Sequence, residues 1–208
     1  MRAESLLIES LLIYEIIVRC TEVVSILDEH SLDLISHSQA QTRRFGARLG
    51  ELLQGGDVLC LAGELGAGKT CFAQGIGRGL GIEGPITSPS FTLINEYRQE
   101  QARLPFYHVD LYRLGEAKET LTLGLDEYFY GEGVCVVEWA NRAPEAIPAE
   151  HLWIELRYID ETRRALLMKA VGNRYEELLR EFNEVASQQG NKVTRQRGNK
   201  ASVASLPR

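Results

Sequence analysis

Along the chain, segments whose apolar side chains recur every third or fourth residue alternate with short apolar runs that have no helical period. From His37 to Leu53, Phe45, Leu49, Leu52 and Leu53 fall at helical spacing, and Gly55-Gly56 stops the segment. Asp57 to Ala62 is a compact apolar run of the kind a buried strand requires. After a glycine-rich loop, Phe72, Ile76 and Leu80 recur every four residues, which predicts a second helix with one face turned inward. Pro105–Asp110 and Gly133–Glu138 are two further strand candidates, and each ends on a carboxylate. Leu152–Tyr158 alternates, as a strand with one wetter face does. Arg164–Val171 is its hairpin partner across the turn Asp160-Glu161-Thr162, and Tyr175–Val185 reads as a final helix. Strands alternating with helices predict an α/β fold with a mostly parallel central sheet, helices on both faces and an antiparallel C-terminal hairpin.

The two ends differ from this middle. Leu6 to Val24 is rich in Leu, Ile and Val but interrupted by Glu9, Glu15, Arg19 and Glu22. No stretch there reaches the ~18 uncharged residues of a membrane span. Of the features of a signal peptide only Arg2 is present. Residues 1–30 therefore read as an N-terminal extension, either an amphipathic helix or a start site placed too early, with a membrane-surface or partner helix as the alternative. Residues 186–208 are rich in Gln, Asn, Ser, Lys and Arg and poor in apolar side chains, which predicts a disordered basic tail. Residues 31–185 are left as the folded domain.

Composition adds two constraints. The 208 residues carry 23 Lys and Arg against 29 Asp and Glu, and five of the basic residues fall in the tail. The rest of the chain is thus strongly acidic, which argues against non-specific binding of a polyanion by the body. The four cysteines, Cys20, Cys60, Cys71 and Cys135, form no C-x-x-C pair, which fits a reducing, cytoplasmic setting and argues against a disulfide scaffold or zinc ribbon.

The chemistry concentrates in Gly63-Glu64-Leu65-Gly66-Ala67-Gly68-Lys69-Thr70, an unsubstituted G-x-x-x-x-G-K-[ST] between a buried strand and a helix. Glycines let successive backbone N–H groups turn toward phosphate, and the helix N-terminus adds partial positive charge. Lys69 reaches the outer phosphates, and the Thr70 hydroxyl is a hard oxygen ligand suited to Mg²⁺. Such a site needs a further carboxylate at a neighbouring strand end. Asp110 and Glu138 compete for that place, one holding the metal and the other acting through water. Thr87-Ser88-Pro-Ser-Phe-Thr92 is a hydroxyl-rich loop of the kind that senses an outer phosphate.

Five blocks in order, G-E-L-G-A-G-K-T at 63–70, T-S-P-S-F-T at 87–92, H-V-D-L-Y-R-L at 108–114, L-G-L-D-E-Y-F at 123–129 and V-E-W at 137–139, resemble the TsaE (YjeE) family from about Ser38 to Val171. That is a family of small P-loop ATPases of bacterial tRNA threonylcarbamoyladenosine biosynthesis. The resemblance implies a P-loop NTPase-type three-layer sandwich that binds ATP through Gly66, Ala67, Gly68, Lys69 and Thr70, with Glu64 and Leu65 in the same loop. It implies Mg²⁺ on Thr70, Glu138 and Asp110, with Asp110 also needed for hydrolysis. Thr87, Ser88 and Thr92 would belong to a switch-like loop, and Trp139 would lie beside the nucleotide. Ser38 to Thr42, leading into Phe45-Gly46, would occupy the place of the adenine contact, and Arg113 and Arg163-Arg164 are further candidates for phosphate or partner contact. It also implies TsaD and TsaB as partners, with tRNA reached through them, and no membrane. The termini extend past the compact family domain.

The alternative is a small-molecule or nucleoside kinase of the P-loop class. It would use the same loop and Asp110 but needs an acceptor site and an Arg-rich lid, for which only Arg163-Arg164 is available. A GTPase switch would need N-K-x-D. Asn191-Lys192 and Asn199-Lys200 are not followed by Asp at that spacing.

Overall fold

The computed structural model describes residues 24–28, 30–89, 92–112 and 124–198. In chain order its elements are β1 (Val24–Asp28), β2 (Ser31–Ser36), α1 (Gln39–Leu52), β3 (Val58–Ala62), α2 (Lys69–Gly79), β4 (Ile94–Tyr97), β5 (Phe106–Asp110), α3 (Asp126–Phe129), β6 (Val134–Glu138), β7 (His151–Tyr158), β8 (Arg164–Val171) and α4 (Asn173–Gly198), with two 3-10 turns at Ala140–Arg142 and Pro144–Ala146. The strands form one sheet in the order β1-β2-β8-β7-β3-β6-β5-β4. Its centre is parallel, β7 beside β3, β3 beside β6 and β6 beside β5. Both flanks are antiparallel: β4 on one side, and β8, β2 and β1 on the other.

The parallel centre follows from the sequence. Every residue of β3, β5 and β6 is buried, as strands covered on both faces must be. The two faces are covered unequally. Phe45 and Leu49 of α1, Phe72 and Ile76 of α2, and Leu178 and Phe182 of α4 pack on one face against Leu34, Leu59, Leu61, Val136 and Ile154. Over the other face, Phe129 of α3, Ala140 of the first 3-10 turn and Ala143 between the two turns cover Cys60, Val109 and Val137. The expected second helical layer is therefore thin among the described residues. Three of the cysteines, Cys60, Cys71 and Cys135, are free and buried. Burial pushes the Cys60 and Cys135 thiols well above their ordinary range.

The C-terminal hairpin, the turn within it and both central helices lie where the hydrophobic pattern places them. Two other boundaries move. Val24–Asp28 pairs with β2 through Val24↔Leu34 and Ile26↔Leu32, so a boundary at residue 31 falls inside a hairpin. The amphipathic stretch before Val24 lies outside the described residues. At the other end, α4 continues to Gly198, past the expected onset of disorder at 186. Gln, Lys and Arg are good helix formers, and no proline occurs between Pro148 and Pro207. Once Tyr175, Leu178 and Phe182 anchor the first turns, propagation needs little further apolar burial. Among the described residues no helix is long and apolar enough to cross a membrane.

α1 and α2 pack backbone to backbone. A Cβ on Gly46 would lie 2.3 Å from the Phe72 carbonyl oxygen, and one on Gly50 would lie 2.4 Å from that of Ile76. Reciprocally, a Cβ on Gly75 would meet the Arg43 oxygen at 2.3 Å and one on Gly79 the Ala47 oxygen at 2.1 Å. Two glycine pairs, each spaced one helical turn apart, thus bring the helices together backbone to backbone. At the end of this seam the last carbonyls of α1 are satisfied by Arg103, which donates to the oxygens of Leu53 and Gly50 at 2.7 Å each.

Gly75→Val or Gly46→Val forces the helices apart with no flexible side chain to yield. Each is expected to lower unfolding stability by about 3 kcal/mol, read as a lower urea midpoint at unchanged m-value.

Candidate nucleotide site

Three strand ends meet at the carboxyl edge of the parallel sheet. β3 ends at Ala62 and runs into the glycine loop, β5 ends at Asp110, and β6 ends at Glu138. Asp110 and Glu138 are register partners in the β5–β6 ladder, and Glu138 is in turn opposite Leu61 of β3. The edge of an open α/β sheet where ligands bind is therefore occupied by the loop and both carboxylates.

The loop is shaped by backbone that other residues resist. Gly63 has φ +135°, and a Cβ there would lie 2.2 Å from the Leu156 oxygen of β7. Gly68 caps α2 at φ +105°. Between them Ala67 is buried, while Glu64, Leu65 and Gly66 face outward, Leu65 with 79% of its surface exposed. Lys69, the first residue of α2, is buried, and its Nζ donates to the carbonyl oxygens of Gly63 at 2.8 Å and Glu64 at 2.9 Å. The same ammonium sits 3.6 Å from the centre of the Trp139 ring. Burial pulls Lys69 below the ordinary lysine range, while Glu138 and Asp110 pull it back up.

Thr70 Oγ1 donates to Glu138 Oε2 at 3.0 Å. Glu138 Oε1 accepts from His108 Nε2 at 2.8 Å, and both side chains are buried. Asp110 is also buried; its Oδ2 takes a short bond from the Ser88 hydroxyl, and its Oδ1 accepts from the Tyr112 N–H at 2.9 Å. Trp139 adopts φ +60° directly after β6, which turns its ring across the loop, and Tyr112 packs on it at 4.8 Å. Lys69, Thr70, Ser88, Asp110, Glu138 and Trp139 line a cleft of about 440 Å³, and His108 lies behind its wall.

The donor set fits Mg²⁺ with a polyphosphate. Thr70 and Glu138 present hard oxygens, and among the described residues no cluster of three or more His, Cys, Asp or Glu exists to complete a protein-only metal site. Mg²⁺ is commonly held in that way, by one or two protein oxygens with phosphate and water. A Cβ built on Gly66 meets nothing within 4 Å, so the outer side of the loop is open space.

The other residues marked in the sequence distribute unevenly. Ser38 and Thr42 do not line the cleft. Ser38 caps α1, accepting from the Gln41 N–H, and the Thr42 hydroxyl pairs with Ser36 at 2.8 Å. Gln39, between them, lines the cleft instead. Thr87 is exposed and stays outside the wall, its backbone tied to Tyr97 and Asn95, while Ser88 lines it. Thr92 is exposed and bonds Asn95. Arg163 pairs with Asp160 at the hairpin turn, but Arg164 reaches the loop, donating to the Gly66 oxygen at 3.4 Å. Arg113 lies outside the described residues. Cys71, Leu93 and Tyr112 are wall residues that sequence reasoning did not single out. Tyr112 stood inside the H-V-D-L-Y-R-L block, whereas Leu93 has no signal, because its place depends on its φ of +64°.

A parallel-centred α/β sheet with this loop between its strand and helix, and two carboxylates at adjoining strand ends, defines a P-loop nucleotide-binding protein. The family model for Threonylcarbamoyl adenosine biosynthesis protein TsaE matches residues 36–166, and the chain belongs to that family. A tRNA threonylcarbamoyladenosine biosynthesis protein TsaE of Bacillus subtilis (strain 168) is 49% identical over 128 residues, which is 62% of this chain and 78% of that one. Its counterpart from Treponema pallidum (strain Nichols) is 42% identical over 132 residues, covering 64% of this chain and 96% of that one. The crystal structure of Bacillus subtilis YdiB superposes with a TM-score of 0.63 at 39% identity, over 79% of this chain and 98% of that chain.

The contact between Lys69 and Trp139 gives the site an optical readout. Phosphate entering the loop competes for the ammonium, so ADP binding is expected to change Trp139 emission. The change should vanish in Trp139→Phe, which keeps Trp153 as background, and shrink strongly in Lys69→Met; fluorescence titration with ADP checks it.

Proposed function

We propose that the chain binds ATP with Mg²⁺ at residues 63–70, hydrolyses it to ADP and phosphate, and serves tRNA threonylcarbamoyladenosine biosynthesis through TsaD and TsaB. The observation that carries this reading is the Thr70–Glu138 bond, which joins the start of the P-loop helix to the strand end beside Asp110. The names of the relatives support the pathway, and the loop supports the nucleotide.

Each residue then has a task. The N–H groups at the start of α2 and the Lys69 ammonium hold the outer phosphates, with Lys69 giving up carbonyl partners that cost little to return to water. Thr70 and Glu138 hold Mg²⁺, which when bound neutralises charge on the phosphate oxygens. Asp110 is buried at the next strand end and orients the attacking water, and its bond to Ser88 couples that carboxylate to the loop at 87–92. Trp139 walls the cleft and shields Lys69 from solvent. No basic surface for RNA is needed, because tRNA is handled by the partners.

Hydrolysis by the purified chain, alone and with TsaB plus TsaD, tests the reading. Turnover is expected to rise with the partners and to fall about a hundredfold or more in Lys69→Ala. Lys69→Ala turning over ATP like wild type, or phosphate passing to an acceptor with no free phosphate formed, overturns it.

A further inference from the structure

His108 is fully buried in the middle of β5, on the face where its strand neighbours and the facing strand offer Phe106, Val134 and Val136. Its ring stacks on Phe106 at 5.9 Å. Only one of its nitrogens is used. Nε2 bonds Glu138 Oε1, and Nδ1 is buried with no hydrogen-bond partner among the described residues. An apolar side chain would fill this place without stranding a polar atom. The histidine is accounted for by its single bond.

That bond acts on the metal-binding hydroxyl. A carboxylate only accepts, so Nε2 carries the hydrogen and donates to Oε1. With Oε1 held, Oε2 is the oxygen presented to α2, and it takes the Thr70 hydroxyl hydrogen. A hydroxyl whose hydrogen is committed inward turns its lone pairs outward, here toward the cleft. The set His108 Nε2–H, Glu138, Thr70 O–H thus runs from the core of the sheet to the first turn of the P-loop helix, with Glu138 accepting from both sides.

We infer that His108 is a positioning residue for the Mg²⁺ site: it fixes the rotation of the Glu138 carboxylate and, through it, the direction of the Thr70 lone pairs. This rests on the reading of residues 63–70 as a Mg²⁺-nucleotide site. Groups that orient metal ligands from behind are commonly worth a ten- to hundredfold in metal affinity.

The experiment is calorimetric titration of ADP into the full chain with and without Mg²⁺, and of Mg²⁺ into the ADP complex. Wild type is compared with His108→Leu, which removes the donor, His108→Gln, which returns an N–H close to the Nε2 position, and His108→Asn, which is polar but too short. His108→Leu and His108→Asn are expected to lose about tenfold or more in Mg²⁺ affinity while Mg²⁺-free ADP affinity stays within about twofold; His108→Gln recovers most of the loss. A merely structural role would move the Mg²⁺-free and Mg²⁺-dependent affinities together. Thermal unfolding by circular dichroism identifies any variant that fails to fold, and if Leu does, the Gln and Asn pair decides. Unchanged Mg²⁺ affinity in the folded variants, or Gln no better than Asn, overturns the proposal. Wild type binding ADP with no dependence on Mg²⁺ overturns the underlying reading of the site, and the proposal with it.

Discussion

The site depends on how closely α1 and α2 can approach. Lys69 and Thr70 open α2, and their height above the sheet is fixed by where that helix lies. Gly46 and Gly50 meet the carbonyls of α2, and Gly75 and Gly79 meet those of α1, so the contact is backbone on backbone. Side chains in such a seam could give by rotating; carbonyls in two helices cannot. The P-loop helix is thereby held rigidly against a neighbour that itself packs on the sheet through Phe45 and Leu49. The 3.0 Å bond from Thr70 to Glu138 then follows from where the scaffold places α2 and β6.

Charge explains why the cleft has its composition. Asp110 and Glu138 bury two carboxylates beside one lysine. Buried carboxylates need donors, and each oxygen of both has one: His108 and Thr70 for Glu138, Ser88 and Tyr112 for Asp110. Lys69 is satisfied by the carbonyls of Gly63 and Glu64, and its charge is further supported by the face of Trp139. The arrangement balances locally yet leaves an excess of negative charge facing an anion-binding loop. A polyphosphate entering alone would meet both carboxylates, whereas one entering with a divalent cation brings the compensating charge.

The sequence spoke most clearly where one physical rule dominates. β3, β5 and β6 are short apolar runs closed by a loop or a carboxylate, and no helix competes for them. The glycine loop was legible because its conformation excludes other residues, and Asp110 and Glu138 because a strand end is a defined place. The β1–β2 hairpin was not read, although Leu32 and Leu34 alternate with polar residues, since its pairing is made with β8, more than a hundred residues away. β4 has only Ile94 and Tyr97 as apolar members of I-N-E-Y and is a strand because β5 lies beside it. Ser38 and Thr42 show the limit for site residues. Both stand next to the cleft, but an N-cap and a buried Ser36 compete for their hydroxyls, and a side-chain competition of that kind is settled only in three dimensions.

The antiparallel flank closes the open side of the P-loop, which gives the C-terminal hairpin a part in the site. Leu156 of β7 places its carbonyl where a side chain at Gly63 would be, so the first glycine of the loop is demanded by the hairpin as much as by phosphate. Arg164, at the start of β8, stacks on Tyr158 at 4.5 Å and reaches the Gly66 oxygen. Its other bonds go to the carbonyls of Asp160 and Arg163, so the guanidinium ties the hairpin turn to the loop. The parallel strands supply the carboxylates from one side and the hairpin braces the backbone from the other. The loop is thus fixed at Gly63, where Leu156 approaches, at Glu64, which Lys69 bonds, and at Gly66, which Arg164 reaches, while the Glu64 and Leu65 side chains face outward.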